Sequence, residues 1–400
     1  MFIVNLVTNM DYKNKLNPTV LALKPSGIRK FFDIVSEMPD ALSLGVGEPD
    51  FVTPWEIRDA AIKSVQKGYT AYTSNRGIME LRAEIAGFLE MRYGLDYHPD
   101  SEICVTVGAS EAIDLALRAI VSAGDEVVMP DPSYVSYAPN VQLCGGVPVP
   151  IKTREEDCFK LTAAALEAAI TPRTKLLILP YPNNPTGAIM TREELLEIVP
   201  IIIKHDLIVL SDEIYAELTY NCTHTSVVTL PGMRERTALL SGFSKAFAMT
   251  GWRLGYVCAP VQIMEPIVKI HQYTIMCAPT VSQHAALAAL RTGKKDNYAA
   301  VKEMRESYDM RRRYLTDAFR KMGLSCFEPL GAFYVFPSVA STGFDGEAFA
   351  EKLLKQEKVA VVPGSAFGAS GVFHIRTCYA CSMAVLTEAA ARIERFLKTL

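Results

Sequence analysis

The sequence predicts an α/β protein whose mostly parallel sheet is covered by helices on both faces. Three observations carry that prediction. Short runs rich in Val, Ile and Leu recur through the middle of the chain, and amphipathic helical stretches separate several of them. A length of 400 residues exceeds one ordinary domain, so two subdomains or one large α/β unit are expected.

In chain order, the strand-like runs are "EICVTVG", "EVVMP", "VPVPI", "KLLILPY", "LIVLSDE", "ALLSG" and "LGYVCAP". Helical patterns cover Ser110–Val121, Leu161–Ile170 and Arg192–Lys204. Residues 48–295 are therefore read as one large α/β domain. Charged helix patterns follow, from "KDNYAAVKEMRESYDMRRRYLTDAFRKMG" to "MAVLTEAAARIERFLKTL", with strand candidates "GAFYVFP", "VAVVPG" and "VFHIRT" between them. Residues 296–400, joined by 1–47, are read as a smaller α+β domain.

Composition narrows the function classes. A net charge of -3 leaves no basic footprint for nucleic acid. No run approaches the roughly 20 apolar residues of a membrane span. The start "MFIVNLVTNMDYKNK" lacks the basic region and cleavage site of a signal peptide, so a cytoplasmic enzyme is expected. Nine cysteines, odd in number and scattered, read as buried thiols rather than a disulfide framework. Cys378 and Cys381 form a C-x-x-C, but it closes a large chain instead of opening a small βαβ unit, which disfavours redox use. The histidines show no metal-ligand spacing, and no metal site is expected.

In open α/β sheets, ligands bind beyond the carboxyl ends of the strands, so the residue after each apolar run is the informative one. After "EICVTV" come Gly108, Ala109 and Ser110, opening a helix that can hold a phosphate or simply be capped by Ser110. After "KLLILP" comes "YPNNPTG", where Pro185 restricts Asn184; a tight loop is the plainer alternative. Asp212 ends "LIVLSD", either as an N-cap or as the partner of a buried cation, with Tyr215 three residues on. Lys245 follows "ALLSG" inside "SGFSKAFAMTGWRLGY". Most other lysines lie in charged helical stretches, whereas this one sits among apolar neighbours. Together these residues supply what pyridoxal phosphate needs: a helix N-terminus for its phosphate, a carboxylate for its ring nitrogen and an amine for its aldehyde. The amine must lose charge by desolvation, which the apolar flanks provide.

The chain resembles the fold-type I, class I/II pyridoxal-phosphate aminotransferases, in the branch with prokaryotic aspartate and aromatic aminotransferases. "YPNNPTG", "SDEIYAEL" and "SKAFAMTGWRLGY" carry the likeness, which runs from "SLGVGEPDF" to "FHIRTCYA". The resemblance implies that Lys245 binds the cofactor aldehyde, Asp212 pairs with the ring nitrogen, and Tyr215 and Asn184 meet the ring oxygen. It implies phosphate contacts from Ala109, Ser110 and Arg253, and ring stacking by Tyr134. Arg376 and Asn184 would hold the substrate α-carboxylate beside Gly47. Tyr72 would reach the phosphate of a neighbouring subunit in a homodimer with shared sites. Two positions depart from the pattern. Gly242 stands where many relatives carry a phosphate-binding serine, leaving Ser241 or Ser244 to replace it. Ser110 stands where some aspartate-specific relatives have lysine, which weighs against dicarboxylate substrates.

The expected reaction is ping-pong amino transfer from an L-amino acid, with an aromatic or other large side chain, to a 2-oxo acid such as 2-oxoglutarate. An aspartate or acyl-diaminopimelate aminotransferase and a β-lyase acting on cysteine conjugates use the same residues. A transcription regulator built on this scaffold is disfavoured, because no DNA-binding module is legible before "GEPDF". Tyr12, Ile28, Phe31 and Phe32 are read either as an apolar side-chain pocket or, preferably, as core.

Overall fold

The structure, a computed structural model, describes residues 12–25, 27, 38 and 40–400. Ile28, Phe31 and Phe32 lie outside the described residues. Tyr12 is 62% exposed, so it belongs to no core.

A seven-stranded sheet organises the larger part of the chain. Its strands are β2 (Ile103–Thr106), β3 (Glu126–Asp131), β4 (Val147–Lys152), β5 (Thr174–Leu179), β6 (Ile208–Asp212), β7 (Thr237–Gly242) and β8 (Gly255–Cys258), in spatial order β2-β8-β7-β6-β5-β3-β4. Five run parallel side by side, while β8 runs antiparallel to both β2 and β7. The central strands are apolar on both faces because helices cover both. Alternation then sorts them into two layers. Leu177, Leu179, Val209 and Leu239 enter one core, while Leu176, Ile178, Leu210 and Leu240 enter the other.

Helix α1 (Pro18–Ala22) lies against α5 (Tyr137–Leu143). Helices α2 (Trp55–Gln66), α3 (Met79–Tyr93), α6 (Ala163–Ala169), α7 (Arg192–Lys204) and α9 (Thr280–Asp296) contribute to the first layer. Helices α4 (Gly108–Ile120), α5 and α8 (Val261–Thr274) build the opposite one. Sequence chemistry sets the ends: Thr191 and Glu194 form a reciprocal capping box at the start of α7.

A separate core gathers the C-terminal third around α10 (Ala299–Lys321), α11 (Gly346–Glu357) and α12 (Met383–Leu397). Its strands are β9 (Tyr334–Val335), β11 (Val362–Pro363) and β12 (Ile375–Cys378), antiparallel in the order β11-β12-β9. Strand β1 (Leu42–Ser43) runs parallel to β10 (Val359–Ala360) and so ties the described N-terminal residues to this part. All nine cysteines are free thiols; Cys104, Cys258, Cys326 and Cys378 are buried, but Cys158 and Cys222 are exposed, against the expectation of buried thiols throughout.

Candidate active site

The carboxyl ends of the parallel strands open on a cavity of about 540 Å³. Gly47, Ala109, Ser110, Tyr134, Asn184, Asp212, Tyr215, Lys245, Arg253 and Arg376 all line it. Tyr72 does not, and its side chain is 81% exposed.

Asp212 is the last residue of β6 and is 6% exposed. Its Oδ2 accepts the Tyr137 hydroxyl at 2.7 Å, and Oδ1 accepts the Ile214 N–H at 3.2 Å. The capping contact and the buried acid therefore coexist in one side chain. Burial pushes its carboxyl up to about 6, against the donated hydrogen bonds, which lower it.

Lys245 follows β7, its ammonium 5.8 Å from the Tyr215 ring centroid and 5.5 Å from that of Phe333. Its Nζ donates to the Gly47 carbonyl at 2.7 Å. Burial pulls its ammonium down to about 8, so an amine is available near neutrality. Lys245 is thus half-buried in the cavity wall, as its apolar flanks suggest.

Helix α4 begins at Gly108, whose N-cap Val107 makes no side-chain cap bond. Ser110 is thus the third helical residue rather than the cap. Gly108 has φ +71, and an added Cβ would stand 2.7 Å from an Arg253 guanidinium nitrogen. A bare backbone at 108 lets Arg253 lie over the helix start, which gathers positive charge where first-turn N–H groups already lack intrahelical acceptors. Of the two serines considered in place of Gly242, Ser244 lines the cavity, whereas the Ser241 hydroxyl turns away to the Glu213 carbonyl at 3.3 Å.

Arg376, on β12, is 3% exposed. Its Nη1 donates to Asn184 Oδ1 at 2.9 Å and its Nη2 to the Gly45 carbonyl at 2.7 Å. Its buried Nε has no hydrogen-bond partner, and no carboxylate among the described residues pairs with it. A buried guanidinium without a counter-charge is costly unless an anion is delivered to it.

Sequence reasoning missed three aromatic residues. Tyr137 holds Asp212; Tyr334 bonds Tyr215, hydroxyl to hydroxyl, at 3.0 Å; and the Arg376 guanidinium lies 4.4 Å from the Tyr334 ring centroid and 4.7 Å from that of Phe367. Tyr137 opens α5 three residues after the loop residue Tyr134, so no helical period links the two. Tyr334 and Phe367 carry no sequence signal either.

A half-buried lysine and a buried acid on one cavity wall, between an uncapped helix start and an arginine fork without a carboxylate, are the groups a pyridoxal-phosphate enzyme of fold type I needs. The family model described as "Aminotransferase class I and II" matches residues 39–393. The chain is 53% identical to "Putative aminotransferase YugH" of Bacillus subtilis (strain 168), covering 96% of this chain and 98% of that one. It is 44% identical to the "Probable N-acetyl-LL-diaminopimelate aminotransferase" of the same organism, over 96% and 95% of the two chains. It superimposes on the crystal structure of the aromatic aminotransferase from Pyrococcus horikoshii OT3 with TM-score 0.88 and 45% identity, over 92% and 99%. The chain belongs to the class I and II aminotransferases: it is a pyridoxal-phosphate-dependent enzyme that transfers amino groups.

Among the described residues, no helix is long and apolar enough to cross a membrane, and no cluster of His, Cys, Asp and Glu could hold a metal.

Proposed function

We propose that this enzyme takes the amino group of an L-amino acid with an aromatic or other large side chain and passes it to a 2-oxo acid such as 2-oxoglutarate. The observation that carries this reading is the buried Arg376 fork, which lacks a carboxylate and lies on the same cavity as Lys245. An α-carboxylate supplies the missing charge in bidentate geometry. For the side chain, Ile113, Tyr134, Pro182 and Ile214 give the cavity apolar wall. Arg376, Lys245 and Arg253 are its only cations among the described residues, each with another duty, so a side-chain carboxylate finds no partner there.

The residues divide the work. Pyridoxal phosphate, when bound, supplies an aldehyde and an electron-accepting ring. Lys245 would hold it covalently, with Asp212 at the ring nitrogen, Tyr215 and Asn184 at the ring oxygen, and Tyr134 against the ring face. Ala109, Ser110 and Arg253 would take its phosphate, with Tyr72 of a second copy. Arg376 and Asn184 orient the substrate carboxylate beside Gly47, which brings the α-hydrogen toward Lys245 Nζ. The lowered ammonium pKa lets that nitrogen accept a proton near neutral pH and return it within the site.

The working form is a cytoplasmic homodimer, its chain divided into a large domain at 48–295 and a small one from 1–47 and 296–400. Lys245→Ala tests the core of the proposal. The variant is expected to lose the visible absorbance of the lysine-bound cofactor together with turnover. Turnover at the wild-type rate would refute the assignment. A half-reaction screen of amino acids against the cofactor spectrum tests donor choice, with aromatic donors expected to react faster than aspartate.

A further inference from the structure

A carboxylate sits where this site should least tolerate one. Glu111 lies in the first turn of α4, the helix whose N-terminus is proposed to receive a phosphate. Negative charge near a helix start stabilises the helix but repels an anion bound there. Its placement therefore needs a geometric reason.

The side chain is turned backward. Glu111 Oε2 accepts the backbone N–H of Val107 at 2.5 Å, and Oε1 lies 2.9 Å from Nδ1 of His271. His271 comes from α8, is fully buried, and has no partner for its Nε2. Nε2 has no acceptor, so the arrangement its surroundings satisfy is the one that places a ring hydrogen on Nδ1, donating to Glu111. Val107 is the N-cap of α4 and makes no side-chain bond of its own. Glu111 thus does for it what a capping-box acid does, binding the N–H of the residue before the helix. That fixes the approach of β2 to α4 and leaves the first-turn amides free of side-chain caps where Ala109 and Ser110 line the cavity.

We infer that Glu111, held from behind by His271, is a positioning residue for phosphate recognition: it aims the first turn of α4 at the anion and does not touch it. The inference rests on the proposed phosphate seat at Ala109, Ser110 and Arg253.

The sign of one binding constant separates positioning from bystander charge. Protein freed of cofactor is titrated with pyridoxal phosphate and, separately, with pyridoxal, which lacks the phosphate. Positioning predicts that Glu111→Ala weakens pyridoxal phosphate binding about tenfold and leaves pyridoxal binding unchanged. Glu111→Gln, which still accepts the Val107 N–H, should keep most of the affinity. His271→Leu should reproduce the selective loss and His271→Asn should relieve it, which carries the test if Glu111→Ala does not fold. Equal or tighter pyridoxal phosphate binding by Glu111→Ala, as charge removal alone would give, overturns the inference, and so does a parallel loss of both ligands. Arg253→Ala serves as the reference. If it leaves the preference for the phosphate-bearing ligand intact, the seat itself is wrong and both readings fall; if Arg253→Ala abolishes the preference and Glu111→Ala does not, only the role of Glu111 falls.

Discussion

Burial acts on two charged side chains of the cavity wall, Asp212 and Lys245, in opposite directions, lifting the carboxyl to about 6 and lowering the ammonium to about 8. Both shifts tax the cofactor-free fold. Asp212 binds its proton more tightly folded than unfolded, so its contribution is full below 3.8, fades as pH rises, and is gone above about 6. Lys245 opposes folding below about 8, and that cost fades between about 8 and 10.5. Asp212→Asn keeps an acceptor for Tyr137 without the charge. In cofactor-free protein it is expected to stabilise the fold by on the order of 3 kcal/mol above pH 6, and by nothing near pH 3.8, while transamination collapses. Urea unfolding at pH 7.5 and pH 4 checks it, and equal gains at both pH values would exclude the electrostatic cause. These two residues were legible because each interrupts an apolar run with a charge. Tyr137, Tyr334 and Phe367 were not, since an aromatic residue among apolar neighbours reads as core whichever side of a cavity wall it faces.

Elements follow the same logic. The central strands of the main sheet could be read because both faces are buried and almost every position is free to be apolar. The reversed direction of β8 could not, for an apolar run looks alike in either sense. That reversal explains Gly242. In the antiparallel pair β7–β8, Gly242 stands opposite Gly255, and a Cβ at 242 would meet the Gly255 Cα at 2.9 Å and the Leu254 carbonyl at 3.0 Å. A serine there would have to push the two strands apart. Gly242→Ser is therefore expected to cost about 1–3 kcal/mol and to lower the melting temperature, without tightening pyridoxal phosphate binding. Thermal melts with a cofactor titration decide; an unchanged melting temperature would show that the ladder yields freely.

At the scale of the molecule, one cavity collects side chains from two separately cored parts: Asp212 and Lys245 from the large sheet, Arg376 and Tyr334 from the C-terminal strands. Sequence order alone could place those groups at strand ends, but a contribution from a second copy, as proposed for Tyr72, would leave no periodicity in one chain. The surface around Tyr72 bears on that proposal. Thr280 Oγ1 donates to the Ala71 carbonyl and Asn75 Nδ2 to that of Met276, which binds the two segments into one face where Tyr72, Tyr273 and Met276 stand exposed. An exposed apolar patch of this kind is where a second copy would dock. If Tyr72 completes the neighbour's site, Lys245→Ala and Tyr72→Ala subunits, each poor alone, form a mixed dimer with one site intact: the lysine from one chain and the tyrosine from the other. Random re-pairing of equal amounts should recover about a quarter of wild-type activity, because half the dimers are mixed and each has one good site. A mixture no better than the average of its parents would place Tyr72 in service of its own chain.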